Sequence, residues 1–230
     1  MLKLEHIKAI SLDLDDTLWP IWPTIERAER KLHDWLAEHA PRTATLYPSP
    51  QALRGIRDMV ERQRPDLAHD MTALRHESIR LALAQAGDDP QLAGPAFEVF
   101  IAERHNVSFY PDALPALAAL AVRYPLVSLT NGNAEISRMG LSPFFKASVA
   151  ALKAGFSKPD PRIFHMAAEA TGVQPHEVLH VGDDAHLDVL AARQAGMQAV
   201  WVNRSQAAWP HPERPQLEVA HLGELVEALG

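Results

Sequence analysis

The sequence predicts an α/β protein, a parallel sheet with helices on its faces, interrupted after its first strand by an all-helical insertion. Three observations carry that prediction. Residues 7–14 (IKAISLDL) read as a strand, with Ile10, Leu12 and Leu14 alternating with polar positions and Ile7 and Ala9 extending a buried run. From about 20 to 108 charged residues are dense, no β-branched run occurs, and four stretches carry helical periodicity. From 112 onward, strands and helices alternate at the spacing of a parallel sheet.

Each element has a local reason. In 23–39, Ile25, Ala28, Leu32, Trp35 and Leu36 share one helical face. The stretch 41–50 holds three prolines and reads as a loop. Helices are expected at 51–62, stopped by Pro65; at Met71–Ala86, capped by Gly87; and at 90–105. Beyond the insertion, helices are expected at 112–122, 133–139, Pro161–Thr171, 185–195 and Leu222–Leu229. Strands are expected at Leu126–Thr130, 148–152, 178–181 and Gln198–Val202, and a proline-rich loop at 205–215. The expected organisation is a Rossmann-like, doubly wound core from 1–18 and 109–230, with an all-helical domain at 19–108.

Composition narrows the function classes. The 230 residues carry a formal net charge of −7 and are 47% hydrophobic, enough for a sizeable core. No basic stripe of the kind a nucleic-acid binder needs is present, so no nucleic-acid partner is expected. With no cysteine, disulfides and thiolate metal sites are excluded. The first residues, MLKLEHIKAISLDLDD, are interrupted by charge every few positions and resemble neither a signal peptide nor a spanning helix. The expectation is a cytoplasmic protein with no membrane partner. The twelve histidines show no zinc-binding spacing. Nothing in the sequence bears on oligomeric state.

Ligands of open α/β sheets bind beyond the carboxyl ends of the strands, and the polar clusters of this chain fall there. The first strand runs into Asp13, Asp15, Asp16 and Thr17; the second into Thr130, Asn131, Gly132 and Asn133; a later one into Asp183 and Asp184, with Asp188 close behind. Lys158 precedes the helix that opens Pro159-Asp160-Pro161. In extended chain Asp13 and Asp15 point the same way. At ~4 Å a like-charge pair costs about 4 kcal/mol near a surface, so Asp13, Asp15 and Asp183 together call for a cation. Oxygen-only ligation suits Mg²⁺. Such a site suits phosphoryl transfer: Asp13 as nucleophile, Asp15 as general acid and base, Lys158 neutralising phosphate charge, and Thr130 with backbone N–H groups near Asn131 and Gly132 adding hydrogen bonds.

Taken in order, DLDDT, LTNGN, SKPDP and VGDDAHLD resemble the motifs of the haloacid dehalogenase superfamily. The resemblance covers 1–18 and about 110–204, and the insertion resembles that superfamily's small helical cap. It implies Asp13 as nucleophile, Asp15 as acid and base, Thr130 as the phosphate-binding hydroxyl, Lys158 as the neutralising lysine and Asp183 as a metal ligand. Asp188 matches the acidic residue that orients the lysine, and Asp184 is expected near the metal. Dehalogenases proper lack the second aspartate of the first motif, so Asp15 argues for a phosphatase. Mutases keep the same motifs and stay open as an alternative, as does an inactive binding protein on this scaffold.

The likeness extends into the insertion. LDLDDTLW, HDMTALRHESI and PLVSLTNGN resemble a bacterial subgroup that dephosphorylates flavin mononucleotide and the ribitylaminouracil phosphate of riboflavin synthesis. This implies a small phosphate ester as substrate and a role in flavin metabolism. For substrate contacts the sequence offers Asn133, just after the phosphate-binding turn, and Arg75 on the Met71–Ala86 helix. Trp19 suits either stacking on a flat heterocycle or packing in the interior.

Overall fold

Strand β1 (Ala9–Leu12) is buried along its whole length, as are β2 (Leu126–Thr130), β4 (Val178–Gly182) and β5 (Gln198–Val202). These strands belong to one parallel sheet, ordered β3-β2-β1-β4-β5-β6, with β3 spanning Ala147–Ala150 and β6 Leu217–Val219. Parallel strands covered on both faces need apolar residues on both, which is why the β1 run is near-continuous. The computed structural model describes residues 2–230.

The chain forms two compact units, one of residues up to Pro20 with Ser108–Gly230 and one of Ile21–Val107. Trp19 belongs to the sheet unit. It is fully buried, its ring lies edge-on to Phe109 at 5.7 Å, and the Tyr110 N–H donates to the Leu18 carbonyl. Arg204 donates to the Thr17 carbonyl and to the carboxylate of Asp112, and lies over the Tyr110 ring, 3.8 Å from its centroid. The two crossings of the chain, near 18 and near 110, are thereby tied together inside the sheet unit.

The helical unit contains α1 (Ile21–His39), α2 (Pro41–Leu46), α3 (Pro50–Gln63), α4 (Met71–Ala86) and α5 (Ala93–Arg104). Its core is built from Ala28, Leu32, Leu36, Ile79, Leu83, Ala96 and Phe100. The expected loop at 41–50 is in part helix α2, because Pro41 occupies the first helical turn, where a missing N–H costs nothing. Glu29 is buried and accepts from Arg54 at 2.5 Å and from Arg75 at 3.3 Å. Arg75 also lies over the Phe100 ring, 4.3 Å from its centroid. Burial lowers its pKa to about 10 against the opposing pull of Glu29. No helix among the described residues is long and apolar enough to cross a membrane.

In the sheet unit, α6 (Ala113–Arg123) packs on α10 (Leu222–Leu229), and the short α7 (Ala151–Ala154) follows β3. Helix α8 (Pro161–Thr171) places Ile163, Phe164 and Ala167 in a core with Val127, Leu129 and Val149. After β4 the chain forms a π-helix over Ala185–Leu190 and then α9 (Ala191–Gln194). Residues 133–139, expected as helix, form bends and turns. The strand order runs outward from β1 in both directions, so the switch point lies beside β1.

Candidate active site

Register brings the motifs together. Leu12 lies beside Ser128 of β2 and Val181 of β4, and the Asp13 N–H donates to the Val181 carbonyl at 2.9 Å. Asp13, Thr130 and Asp183 therefore leave neighbouring strands at the same edge of the sheet. They line one cleft of about 170 Å³ with Asp15, Asp16, Asn131, Gly132, Lys158, Asp184 and Asp188.

Lys158 is the pivot. Its Nζ lies 2.6 Å from Asp13 Oδ1 and 2.5 Å from Asp188 Oδ1, with all three residues buried. The backbone of Lys158 is held as well. Its N–H donates to Asn131 Oδ1 at 2.8 Å, and its carbonyl accepts from Asn131 Nδ2 at 3.0 Å. The side chain of Asn131 is thus committed to the lysine loop, leaving its backbone as the part that can meet a ligand. Thr130 Oγ1 accepts from the Gly132 N–H at 3.0 Å, which shapes the turn. Thr17 Oγ1 sits 3.3 Å from both Asp13 Oδ2 and Asp183 Oδ1.

Burial raises Asp13 well above the usual carboxylate range, opposed by Lys158 and reinforced by Asp188 and Asp183. Burial also pushes Asp183 up to about 7, with Asp188 and Asp16 adding to the rise. Asp188 goes the other way. Burial alone would raise it, but Lys158 and the His180 hydrogen bond hold it well below its ordinary value. Burial likewise works against the charge on Lys158, and Asp13 and Asp188 overrule it and raise its pKa.

Carboxylate oxygens of Asp13, Asp183 and Asp188 come within 4.8 Å of one another. These are oxygen donors of the kind a hard divalent cation takes, and two of the three are crowded enough to resist ionisation without one. Asp188 is already engaged: Oδ1 meets Lys158 and His180, and Oδ2 accepts from the Asp184 N–H at 3.0 Å. Both oxygens of Asp188 are thus committed, whereas Asp13 Oδ2 and Asp183 Oδ1 meet the Thr17 hydroxyl at 3.3 Å and are the pair better placed to hold a cation.

The side chain of Asp15 is not in that cluster, contrary to the expectation that it joins Asp13 and Asp183. It accepts from the Trp19 indole N–H at 2.9 Å, because the next residue, Asp16, turns the chain with φ 57°. Trp19 itself is fully buried, so of its two readings the fold takes interior packing, and the substrate contact offered for it is corrected. Arg75 is likewise corrected: it is enclosed by Glu29 and Phe100 in the core of the helical unit. Asn133 is half-buried and does not line the cleft. Asp184 caps the π-helix, accepting from the N–H groups of His186 and Leu187.

Two residues with no role expected from the sequence shape the site. His180, a fully buried polar residue of β4, hydrogen-bonds Asp188 at 3.1 Å. Gly182 is needed because a Cβ built on it would lie 2.3 Å from Asp188 Cγ and 2.4 Å from its Oδ2. The signal was a glycine directly before Asp183, but the reason is a side chain six residues later that the π-helix turns inward. Gly182→Ala is expected to cost about 1–3 kcal/mol through the forced shift of Asp188. It is also expected to slow turnover on the order of 100-fold. Denaturant unfolding and steady-state kinetics on one preparation check both.

Comparison with known proteins identifies the family. A family model described as haloacid dehalogenase-like hydrolase matches residues 7–196. The chain is 32% identical to the 5-amino-6-(5-phospho-D-ribitylamino)uracil phosphatase of Escherichia coli, over 98% of both chains. It is 34% identical to a phosphoserine phosphatase of Thermus thermophilus, over 97% of this chain and all of that one. Among solved structures, a 2-haloacid dehalogenase from Pseudomonas syringae pv. tomato superposes with a TM-score of 0.89 at 39% identity, covering 97% of this chain and 98% of that one. A HAD phosphatase from Thermococcus onnurineus superposes with a TM-score of 0.71 at 25% identity and the same coverage. Matched by that family model over most of its length and by these relatives over nearly all of it, the chain belongs to the haloacid dehalogenase-like hydrolases.

Proposed function

We propose that this hydrolase is a Mg²⁺-dependent phosphatase of small phosphate monoesters. The observation that carries the reading is the cleft in which Asp13, held by the buried Lys158, stands with Asp183 while Asp15 lines the same wall. Asp13 attacks phosphorus and the bond to the leaving oxygen breaks, giving an aspartyl-phosphate. Asp15 hands its proton to the departing alkoxide. A water then attacks phosphorus, Asp15 takes its proton, and the bond to Asp13 breaks, returning the carboxylate. Lys158, Thr130 and the backbone at Asn131 and Gly132 stabilise charge on the phosphoryl oxygens. Asp13 and Asp183 would hold the cation, which when bound supplies further neutralisation of phosphate charge. The helical unit acts as the cap, a reading supported by its place in the chain directly after the Asp13 loop.

The E. coli relative supports the ribitylaminouracil phosphate as substrate. Flavin mononucleotide, implied by the resemblance of the sequence motifs, is a second candidate. The dehalogenase name of the P. syringae structure raises a rival reading, which Asp15 opposes. One assay separates them. Phosphate release is measured from both flavin-pathway esters, O-phosphoserine and an aryl phosphate, and halide release from 2-chloropropionate. Phosphate release that needs Mg²⁺ supports the proposal, and a lead for the flavin-pathway esters supports the finer reading. Halide release without phosphate release, or no turnover at all, refutes it.

The raised Asp183 adds a test of the cation. Its folded pKa of about 7 lies above the unfolded value of 3.8, so the folded state keeps a proton that the unfolded state releases. Its contribution to stability is therefore lost as pH rises through about 7. In chelator, Asp183→Asn should gain thermal stability relative to wild type between about pH 5 and about pH 8. Mg²⁺ should raise the wild-type Tm near the upper end and do little for the variant. Melting curves across pH, with and without Mg²⁺, decide.

A further inference from the structure

The proposed chemistry leaves one buried polar pair unused. Ser11 of β1 and His180 of β4 are register partners on adjacent parallel strands, each a polar residue in an otherwise apolar strand. Ser11 Oγ lies 2.8 Å from His180 Nδ1, and His180 Nε2 lies 3.1 Å from Asp188 Oδ1. That same oxygen holds Lys158 Nζ, which holds Asp13. A hydrogen-bonded chain therefore runs Ser11–His180–Asp188–Lys158–Asp13, with no member more than 6% exposed. The ring is also packed edge-on against Phe164, centroids 5.1 Å apart.

We propose that His180 is a positioning residue, whose Nε2–H holds the Asp188 carboxylate where it can fix the Lys158 ammonium against Asp13. The donors and acceptors allow one arrangement of the neutral ring. Asp188 accepts only, so Nε2 carries the hydrogen, and Nδ1 then accepts from the Ser11 hydroxyl. Burial lowers the basicity of the ring against the pull of Asp188, which keeps it neutral. A metal-bound or charged histidine is not needed: the ring sets a direction. Asp188 Oδ2 is anchored by the Asp184 N–H, and His180 supplies the second anchor, on Oδ1, beside the lysine. Without it the carboxylate can rotate, and Lys158 follows the oxygen it is paired with. The register makes this possible, since a one-residue slip of β4 would turn His180 to the other face.

The activity arm of the test rests on the phosphatase reading, whereas the tautomer arm does not. Long-range ¹H–¹⁵N NMR of the full chain reads the tautomer directly, and hydrogen on Nε2 is expected; hydrogen on Nδ1 overturns the proposal. In phosphate release, His180→Leu is expected to lower kcat by about 10–100-fold. His180→Gln, which keeps a donor towards Asp188, should recover most of that loss. In an Asp188→Asn background, His180→Leu should cost no more than about twofold, because its effect runs through Asp188. A folded His180→Leu protein with wild-type kcat, or a loss that adds in full to that of Asp188→Asn, overturns the proposal. Should the leucine variant fail to fold, Ser11→Ala carries the test. It frees Nδ1, so an Nδ1–H population and a lower kcat are expected together, and neither appearing overturns the proposal. Wild-type protein that releases no phosphate refutes the phosphatase reading instead, and leaves the tautomer result standing.

Discussion

Asp13→Asn is expected to cut phosphate release by about 10⁴-fold or more while leaving the protein folded. The two halves of that result have separate causes. An amide oxygen carries no charge and does not attack phosphorus, so the covalent route closes. Stability behaves differently, because Asp13 belongs to a buried group of carboxylates that raise one another. Replacing it by Asn removes like-charge repulsion, keeps the shape, and leaves an oxygen for Lys158 to donate to. Lys158 retains Asp188 as its counter-charge. The thermal midpoint should therefore stay near that of wild type or rise in chelator. Rapid-quench detection of a labelled protein, present in wild type and absent in the variant, checks the covalent step itself. An Asp13→Asn protein that turns over at the wild-type rate would falsify the nucleophile assignment.

Lys158→Met is expected to damage both stability and activity. Its Nζ is the shared cation of two buried carboxylates, Asp13 and Asp188. Breaking a buried pair by removing one partner costs about 3–5 kcal/mol, since the charge left behind has neither water nor partner. The loss should depend on pH in a stated direction. In wild type Lys158 helps to hold Asp188 ionised at low pH. Without it, Asp188 would bind a proton more readily, and a protonated Asp188 carries no uncompensated charge. The variant should therefore be most destabilised near neutral pH and less so in mild acid. Turnover should fall about 10²–10³-fold, the cost of losing one preorganised charge at a phosphoryl group. Lys158→Arg should rescue little. A planar fork cannot place one nitrogen at 2.6 Å from Asp13 and 2.5 Å from Asp188 as a compact ammonium does. Urea unfolding at two pH values and kinetics for both variants measure the effect; an arginine variant with wild-type turnover would show that charge alone suffices there.

Much of this site was legible because its parts end strands. A polar residue placed just after an apolar run of strand length has few places to be in a parallel sheet, so Asp13, Thr130 and Asp183 were expected at one edge before any coordinates. Lys158 was expected there from its motif. Its second carboxylate, Asp188, was expected beside it from the resemblance, not from periodicity, since Asp188 lies in the π-helix over Ala185–Leu190. Trp19 and Arg75 misled for a related reason. Aromatic and cationic side chains near a loop suit ligands, but burial decides, and burial depends on neighbours distant in sequence. Phe109 is ninety positions from Trp19 and Glu29 forty-six from Arg75.

What the sequence determined by itself was the class of the protein: strand periodicity, a helical stretch inserted after the first strand, and four motifs whose residue types suit phosphoryl transfer. These are local properties, carried by spacing along the chain. The tertiary structure decided how closely those carboxylates share a counter-charge and which of them stands apart. Asp15 is drawn to the Trp19 indole, Asp188 is drawn to Lys158, and Asn131 spends its side chain on the lysine loop. It also decided that Ser11 and His180 meet, since only the pairing of β1 with β4 sets them side by side. Electrostatic energies depend on separation and on how much water is excluded, and neither quantity exists until the strands are assembled.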